Sequence, residues 1–263
     1  MTFSVPKDHP RYHSLVQRHR IEDGVLSGVT TPTGLIAHGR GEAYDYLLGE
    51  RTHDFSESAC RAAAAALLNA RKAVISVNGN TAMLVAEEMI DLSNAAPALL
   101  EINIFHESPE RRDRIAERFR SLGADILGTR PDAVIPGLSS ARAQVDSRGM
   151  LDADVVLVSL EDGDRTAALV AAGKTVIAID LNPLSRTPQT AQIAIVDNVS
   201  RAFPLIQHYT SELRSWSPEQ RARLISEFDN RAALVAAEAA IRKGFRPPDA
   251  NEHDESIRAT EKR

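Results

Sequence analysis

The stretch "DVVLVSLEDGDRTAALVAAGKTVIAID", residues 154–180, decides the fold. It opens on a β-branched run, DVVLVSL, too apolar throughout for a strand with one wet face. A polar turn follows, then a helical segment, RTAALVAAG, whose glycine can end it, and then a second β-branched run, KTVIAID. Two such runs joined by one helix make a right-handed crossover between parallel strands, each buried on both faces.

The same alternation extends outward. Downstream lie a loop, LNPLSRTPQTA, a third run, QIAIVD, and a helix from Asn198. Upstream, KAVISV (72–77) and ALLEINIF (98–105) read as strands around a helical TAMLVAEEMIDLS. The clearest helix is SPERRDRIAERFRSLG: Ser108 can cap it, Pro109 suits its first turn, Ile115 and Phe119 share a face, and Gly123 can end it. A weaker strand follows in ADILG (124–128), whereas residues 129–150 show no sustained period and read as a long loop of the kind that covers sites. The alanine-rich DFSESACRAAAAALLNA reads as a helix opened by Asp54 and Glu57 at capping-box spacing. The predicted class is α/β, a doubly wound and mainly parallel sheet with helices on both faces, plus N-terminal and C-terminal helical segments.

Four segments follow from this reading. Residues 1–53 are polar, with a helix from about Ser14 to Leu26 and irregular chain elsewhere; residues 54–212 form the α/β core. Residues 213–245 are one helix starting at Ser217-Pro218, with Gln220 completing a capping box and Ile225, Phe228, Ala232, Val235 and Ala239 as its apolar positions. Residues 246–263 are too polar to bury and are expected to be disordered.

Composition narrows the function classes. With 43% hydrophobic and 25% charged residues the chain has an ordinary globular mix, and a net charge of −5 offers no whole-chain case for nucleic acid or anionic membrane. Cys60 is the sole cysteine, so no intrachain disulfide or thiolate zinc cluster can form, which fits a reducing cytoplasm. MTFSVPKDHPRYHS has no basic segment followed by an apolar one, so no signal peptide is expected.

Three familiar motifs fail on inspection. In GLIAHGRGEAYDYLLGE (34–50), the third glycine of a dinucleotide fingerprint is replaced by Tyr44 and no strand precedes it, which removes the NAD-dependent reductase reading. Gly39 and Gly41 there read as turn residues beside Arg40, whose fork suits phosphate. GKT (173–175) lacks the upstream P-loop glycine, because position 168 is Ala, and it leads into a strand. His9 and His13 stand four apart with His19 nearby, but no intervening Glu makes them a metalloprotease pair.

The stronger signal is collective. Ligands of open α/β sheets gather beyond the carboxyl ends of the strands. Those ends carry Asn78-Gly79-Asn80-Thr81, Asn103 with His106, Glu161 to Arg165, Asp180 to Thr187, and Asp197-Asn198. Helix capping accounts for Thr81 or Asn198, but not for amides, acids and Arg186 at nearly every end. Amides can read a base or hydroxyl, acids can hold ribose or magnesium, and arginines neutralise phosphate, so a nucleotide plus a small anion is expected.

Taken in order, HPRYHSLVQRHRI, GLIAHGRGEAYDYLLGE, VNGN, LEDGDRT, IDLNPLSRT and IVDN resemble the archaeal-type phosphopantothenate synthetases, or 4-phosphopantoate–β-alanine ligases, from about His9 to Phe245. The resemblance implies a Rossmann-like fold, a cytoplasmic homodimer, and condensation of 4-phosphopantoate with β-alanine at the expense of ATP. The products would be 4'-phosphopantothenate, AMP and pyrophosphate, formed through an acyl-adenylate in coenzyme A synthesis. It places nucleotide contacts on Arg18, Arg40, Asp180, Leu181, Asn182, Arg186, Thr187, Asn198 and Val199, so that residues 1–53 contribute to the nucleotide site. Asn78, Gly79, Asn80, Thr81 and Asn103 are candidates for the substrate side. Arg18, Arg40 and Arg186, with Mg²⁺, would stabilise the developing phosphate charge. Asp162 and Asp164 are open between metal ligation and helix capping, and no catalytic base is assigned. The rival from another class is a non-catalytic module that senses adenine nucleotides, which fold alone does not exclude.

Overall fold

Short β-branched runs separated by helices build one parallel sheet. The computed structural model describes residues 5–105, 108–138 and 140–244, so the polar tail from residue 246 and His106 lie outside the described residues. The chain begins with helices α1 (Tyr12–Leu26), α2 (Pro32–Leu47) and α3 (Asp54–Asn69). Strand β1 (Ala73–Val77), helices α4 (Gly79–Leu84) and α5 (Ala86–Ala95), strand β2 (Ala98–Ile102) and helix α6 (Pro109–Ser121) follow. A separate antiparallel pair, β3 (Ala133–Val134) and β4 (Gln144–Val145), precedes β5 (Val155–Ser159), α7 (Gly163–Ala171), β6 (Thr175–Ile179), α8 (Arg186–Thr190) and β7 (Ile193–Ile195). Helices α9 (Val199–Leu213), α10 (Pro218–Glu227) and α11 (Asn230–Lys243) complete it.

The main sheet runs β2-β1-β5-β6-β7, all parallel. From β1 the chain steps outward to β2, and from β5 it steps outward the other way through β6 to β7. Connections therefore diverge between β1 and β5, and ligand crevices open at the carboxyl ends of such a pair. The pairing of β1 with β5 covers Ala73 to Ile75; beyond it the strands part, and the Asn78 Nδ2 bridges the gap by donating to the Ser159 carbonyl at 2.8 Å.

Alternate strand residues face two cores. On one side Ile75, Leu157, Ile177 and Ile195 pack with the alanine face of α3 and with Phe203 and Ile206 of α9. On the other, Val74, Val156, Val158 and Val176 meet Leu169 of α7 together with Ile135, Val145 and Met150. Those last three belong to the segment read from sequence as a loop. It is a covering layer, and each such side chain contributes about 1.5–3 kcal/mol by burial.

The structure corrects five local readings. Gly39 and Gly41 are not in a turn: they lie inside α2, whose Thr31 cap accepts from the Gly34 N–H at 3.2 Å and whose Pro32 opens the first turn. ADILG is no strand; Leu127 alone bridges to Glu101. Asp54 does not cap α3, because His53 holds the cap position without a side-chain bond and Glu57 accepts instead from the Tyr209 hydroxyl. The loop after β6 contains the short helix α8. The C-terminal segment is two helices: Phe228 leaves helical geometry and Asp229 caps the second, accepting from Ala232 at 3.0 Å. The restart shifts the apolar face, so Ala233 and Ala237 are buried while Val235 and Ala239 are exposed. The caps at Ser108 and Ser217 and the left-handed Gly123 agree with the sequence reading.

Candidate functional site

A cleft of about 510 Å³ opens where β1 and β5 diverge, a size suited to small-molecule ligands. Its floor is built from strand exits and its roof from α2. Ala37 and the pair Arg40-Gly41, then Tyr44, recur at three- and four-residue intervals on the face of α2 turned to the cleft. Glu42 and Asp45 are rotated to the far side, against α1 and α9. One helix thus serves two polar surroundings.

The exit of β6 is a self-closed loop. The Asp180 carboxylate accepts from the Asn182 N–H at 2.9 Å and from the Ser185 hydroxyl at 2.6 Å. Burial raises its pKa, against those two hydrogen bonds and the charge of Arg40. Leu181 packs with Leu48, Val196 and Ala237, giving an apolar floor that approaches α2 at Gly41. Arg186 is exposed and ion-pairs with Asp164 at the cleft rim. Gly163 is required beneath it: a Cβ there would stand 2.6 Å from the Arg186 Cβ and 2.7 Å from its Cγ. Thr187 is buried and donates to the Glu161 carbonyl at 2.8 Å, pinning α8 to the exit of β5. Arg40 makes no hydrogen bond or ion pair among the described residues.

The exit of β1 is fixed as tightly. Asn78 and Thr81 form a reciprocal capping box on α4. Asn80 accepts from Thr30 and donates to the Gly34 carbonyl at 2.8 Å, joining α4 to the start of α2. Gly79 lies against Val29 and Arg111, where a Cβ would stand 2.5 Å from the Val29 carbonyl oxygen and 2.6 Å from an Arg111 terminal nitrogen.

Of the residues singled out from sequence, Arg40, Asp180, Leu181, Asn182, Arg186, Thr187, Asn78, Gly79 and Asn80 line this cleft. The others do not. Arg18 donates from Nε to both Glu42 oxygens, at 3.0 and 2.8 Å, on the opposite face of α2. Burial works against the Glu42 carboxylate, but Arg18 and Tyr46 outweigh it and hold its pKa below the usual value. Asn198 caps α9 and donates to Gln17 at 3.1 Å and Asp45 at 2.9 Å, while Val199 is core. Thr81 is fully buried in its capping box. Asn103 is fully buried and donates to the Arg142 and Gln144 carbonyls, each at 3.1 Å.

Sequence reasoning missed two cleft residues, Arg111 and Arg142. Arg142 sits in the covering segment, 7% exposed, ion-paired with Glu161 and with Asp162 at 3.5 Å. Burial and the neighbouring Arg165 push its pKa down to about 10. Arg165 itself is buried against Glu161 and Ser76. A signal for Arg111 existed: two arginines in the opening turn of α6 oppose the helix dipole, an arrangement that needs a compensating role.

A family model described as phosphopantothenate/pantothenate synthetase matches residues 55–244. The chain belongs to this family. The phosphopantothenate/pantothenate synthetase match starts after α2, but relatives align over more of the chain. A protein of Thermococcus kodakarensis is 51% identical over 233 residues, 88% of this chain and 89% of its own. One from Methanosarcina mazei is 47% identical over 240 residues, 91% and 94% of the two chains, and one from Methanospirillum hungatei is 46% identical over 209 residues, 80% and 86%. Each of these is named 4-phosphopantoate–β-alanine ligase.

Proposed function

We infer that this chain is an enzyme, a 4-phosphopantoate–β-alanine ligase acting in coenzyme A biosynthesis, and that the cleft between β1 and β5 is its active site. The observation that carries this is a single cleft with separate cationic ends, in a chain about half identical to proteins of that name. A nucleotide sensor would need only one such end.

ATP lies toward the β6 exit. Its base and sugar rest on Leu181 beneath Tyr44, Asn182 and Asp180 meet the ribose, and Arg40 and Arg186 face the phosphates. Arg18 and Asn198 hold the helix that presents Arg40 through Glu42 and Asp45 on its far side, while Val199 is core. The acid lies toward the β1 exit beside Asn78 and Asn80.

A carboxylate is a poor electrophile at neutral pH, so its oxygen attacks the α-phosphorus of ATP. The bond from that phosphorus to the β-phosphate oxygen breaks and pyrophosphate leaves. The β-alanine nitrogen then attacks the acyl carbon of the adenylate. The carbon–oxygen bond to AMP breaks, and the amine releases its proton to solvent. Arg40 and Arg186 stabilise charge on the departing phosphates, and alignment of the reactants supplies about 7–11 kcal/mol of the barrier reduction.

Mg²⁺ in such a reaction would be held mainly by the substrate phosphates. Asp162 fits as its protein partner: it lines the cleft, its side chain is half exposed, and it makes no side-chain cap on α7. The ion would neutralise phosphate charge. We further propose a cytoplasmic homodimer, as the family resemblance implies. No helix among the described residues is long and apolar enough to cross a membrane.

The test is an omission assay with purified protein. AMP should appear only when ATP, 4-phosphopantoate and β-alanine are all present; ADP as product, or turnover without the acid, would overturn the proposal.

A further inference from the structure

A second groove, of about 730 Å³, lies outside the cleft, where the end of α2 meets α11. Its apolar surface comes from Leu47 and Leu48 on one side and Ala236, Ala239 and Ala240 on the other. Leu47 is large and apolar yet 48% exposed, and Ala236 and Ala239 are exposed with it. Arg51 and Lys243 also line the groove, and no carboxylate among the described residues does. Apolar surface rimmed by charge of one sign marks a docking site for a segment that pairs an apolar anchor with the opposite charge.

The same chain carries such a segment at the groove's edge. Gly244 lines the groove and ends α11 in the left-handed region at a φ of 66°, its N–H donating to the Ile241 carbonyl at 3.2 Å. The next residues in sequence are Phe245-Arg246-Pro247-Pro248, and the stretch from Asp249 to Glu255 then holds four acids and neither lysine nor arginine. Phe245 is one residue from the groove, so its ring has Leu47 and Leu48 within reach. Two prolines restrict the chain behind it to extended conformations, which lowers the entropy lost on docking, the same advantage that proline-rich ligands exploit in apolar grooves. Asp249 follows Gly244 by five residues, at most about 16 Å at 3.1 Å each, so the acids stay near Arg51 and Lys243.

A second copy fits this groove less well. A two-fold axis through it would oppose Arg51 and Lys243 with their own counterparts, and like charges across an interface repel. The groove also has a link to the cleft. Leu48 packs with Leu181, and Tyr44 and Ala240 lie against the same cluster; Leu181 and Tyr44 line the cleft itself. A chain seated on Leu47 and Leu48 therefore bears on the end of the helix that roofs the cleft.

We propose that Phe245 to Pro248 dock in this groove, with Phe245 on Leu47 and Leu48 and the acids that follow over Arg51 and Lys243, so that the segment clamps the end of α2. This docking is independent of the ligase reading.

The test is hydrogen–deuterium exchange on the full chain, on Phe245→Ala and on a chain ending at Gly244, each at two protein concentrations. Amides of residues 46–53 and 236–243 should exchange roughly 3- to 10-fold faster in both altered chains. Their Tm should fall by roughly 3–10 °C, the shift expected for losing one buried aromatic from a chain of this size. Lys243→Glu should speed the same exchange in the full chain and leave it unchanged in the shortened one. A synthetic peptide of residues 245–256 should restore protection to the shortened chain, and the same peptide carrying Phe245→Ala should not. Equal exchange in all three chains overturns the docking, as does a Tm loss without faster exchange in these two segments. Protection that persists in the shortened chain and fades on dilution also overturns it, placing a second copy in the groove. Should the shortened chain fail to fold, wild-type exchange in Phe245→Ala overturns the docking by itself.

Discussion

Replacing Arg40 with alanine separates catalysis from folding more cleanly than any other change in the cleft. Its side chain is exposed and engages no hydrogen bond or ion pair among the described residues, so truncation should alter unfolding free energy by no more than about 0.5 kcal/mol. A donor aimed at developing phosphate charge is worth about 2.7–4 kcal/mol, which means a fall of roughly 100- to 1,000-fold in kcat/KM. The same substitution carries a second signature. Burial already raises the Asp180 pKa and the charge of Arg40 opposes that rise, so Arg40→Ala lets it climb further. If ribose binding needs the carboxylate, the acid limb of the kcat/KM profile moves to higher pH, and Arg40→Lys largely restores it. Steady-state AMP release across pH, with a thermal melt on the same samples, reads both. A loss under threefold with an unmoved acid limb would remove Arg40 from the mechanism, and a Tm drop matching the activity loss would make the effect structural.

Further outcomes follow from other parts of the structure. A Cβ at Gly39 meets no atom within 4 Å, so Gly39→Ala should stabilise the protein by roughly 0.5–1 kcal/mol in denaturant melts, with unaltered kcat/KM. Gly79→Ala should do the reverse, costing about 1–3 kcal/mol in the same melts by overpacking against the Val29 carbonyl. His38 is buried and burial lowers its pKa from 6.5. Between that folded value and 6.5 the unfolded chain binds more protons, so stability is full above 6.5 and declines as pH falls through this window. In His38→Gln, chemical denaturation should show a flatter dependence there; an identical slope would clear His38 of the effect.

The parallel sheet was legible because strands buried on both faces leave continuous runs such as VVLVS and TVIAI, and polar residues at their exits located the floor of the cleft. The roof was hidden. In α2, two glycines and a scatter of polar residues erase the apolar stripe, and the helix is held by Thr31 at its start and by contacts of Asn80, Arg18 and Arg201 that no local window contains. Residues 129–150 lack a period because Ile135, Val145 and Met150 reach the core one at a time from irregular chain. Arg111 and Arg142 meet only through the sheet order. The resemblance places nucleotide contacts on Asn198 and Arg18, whereas their hydrogen bonds join α1, α2 and α9 behind the cleft wall.

Isotope exchange between labelled pyrophosphate and ATP tests the central claim most directly. Exchange should require 4-phosphopantoate, proceed without β-alanine, and fall at least 100-fold in Arg40→Ala, because reversible adenylate formation at the β1–β5 crevice precedes attack by the amine. Exchange of labelled ADP, in place of pyrophosphate, into ATP, or pyrophosphate exchange indifferent to the acid, would contradict it.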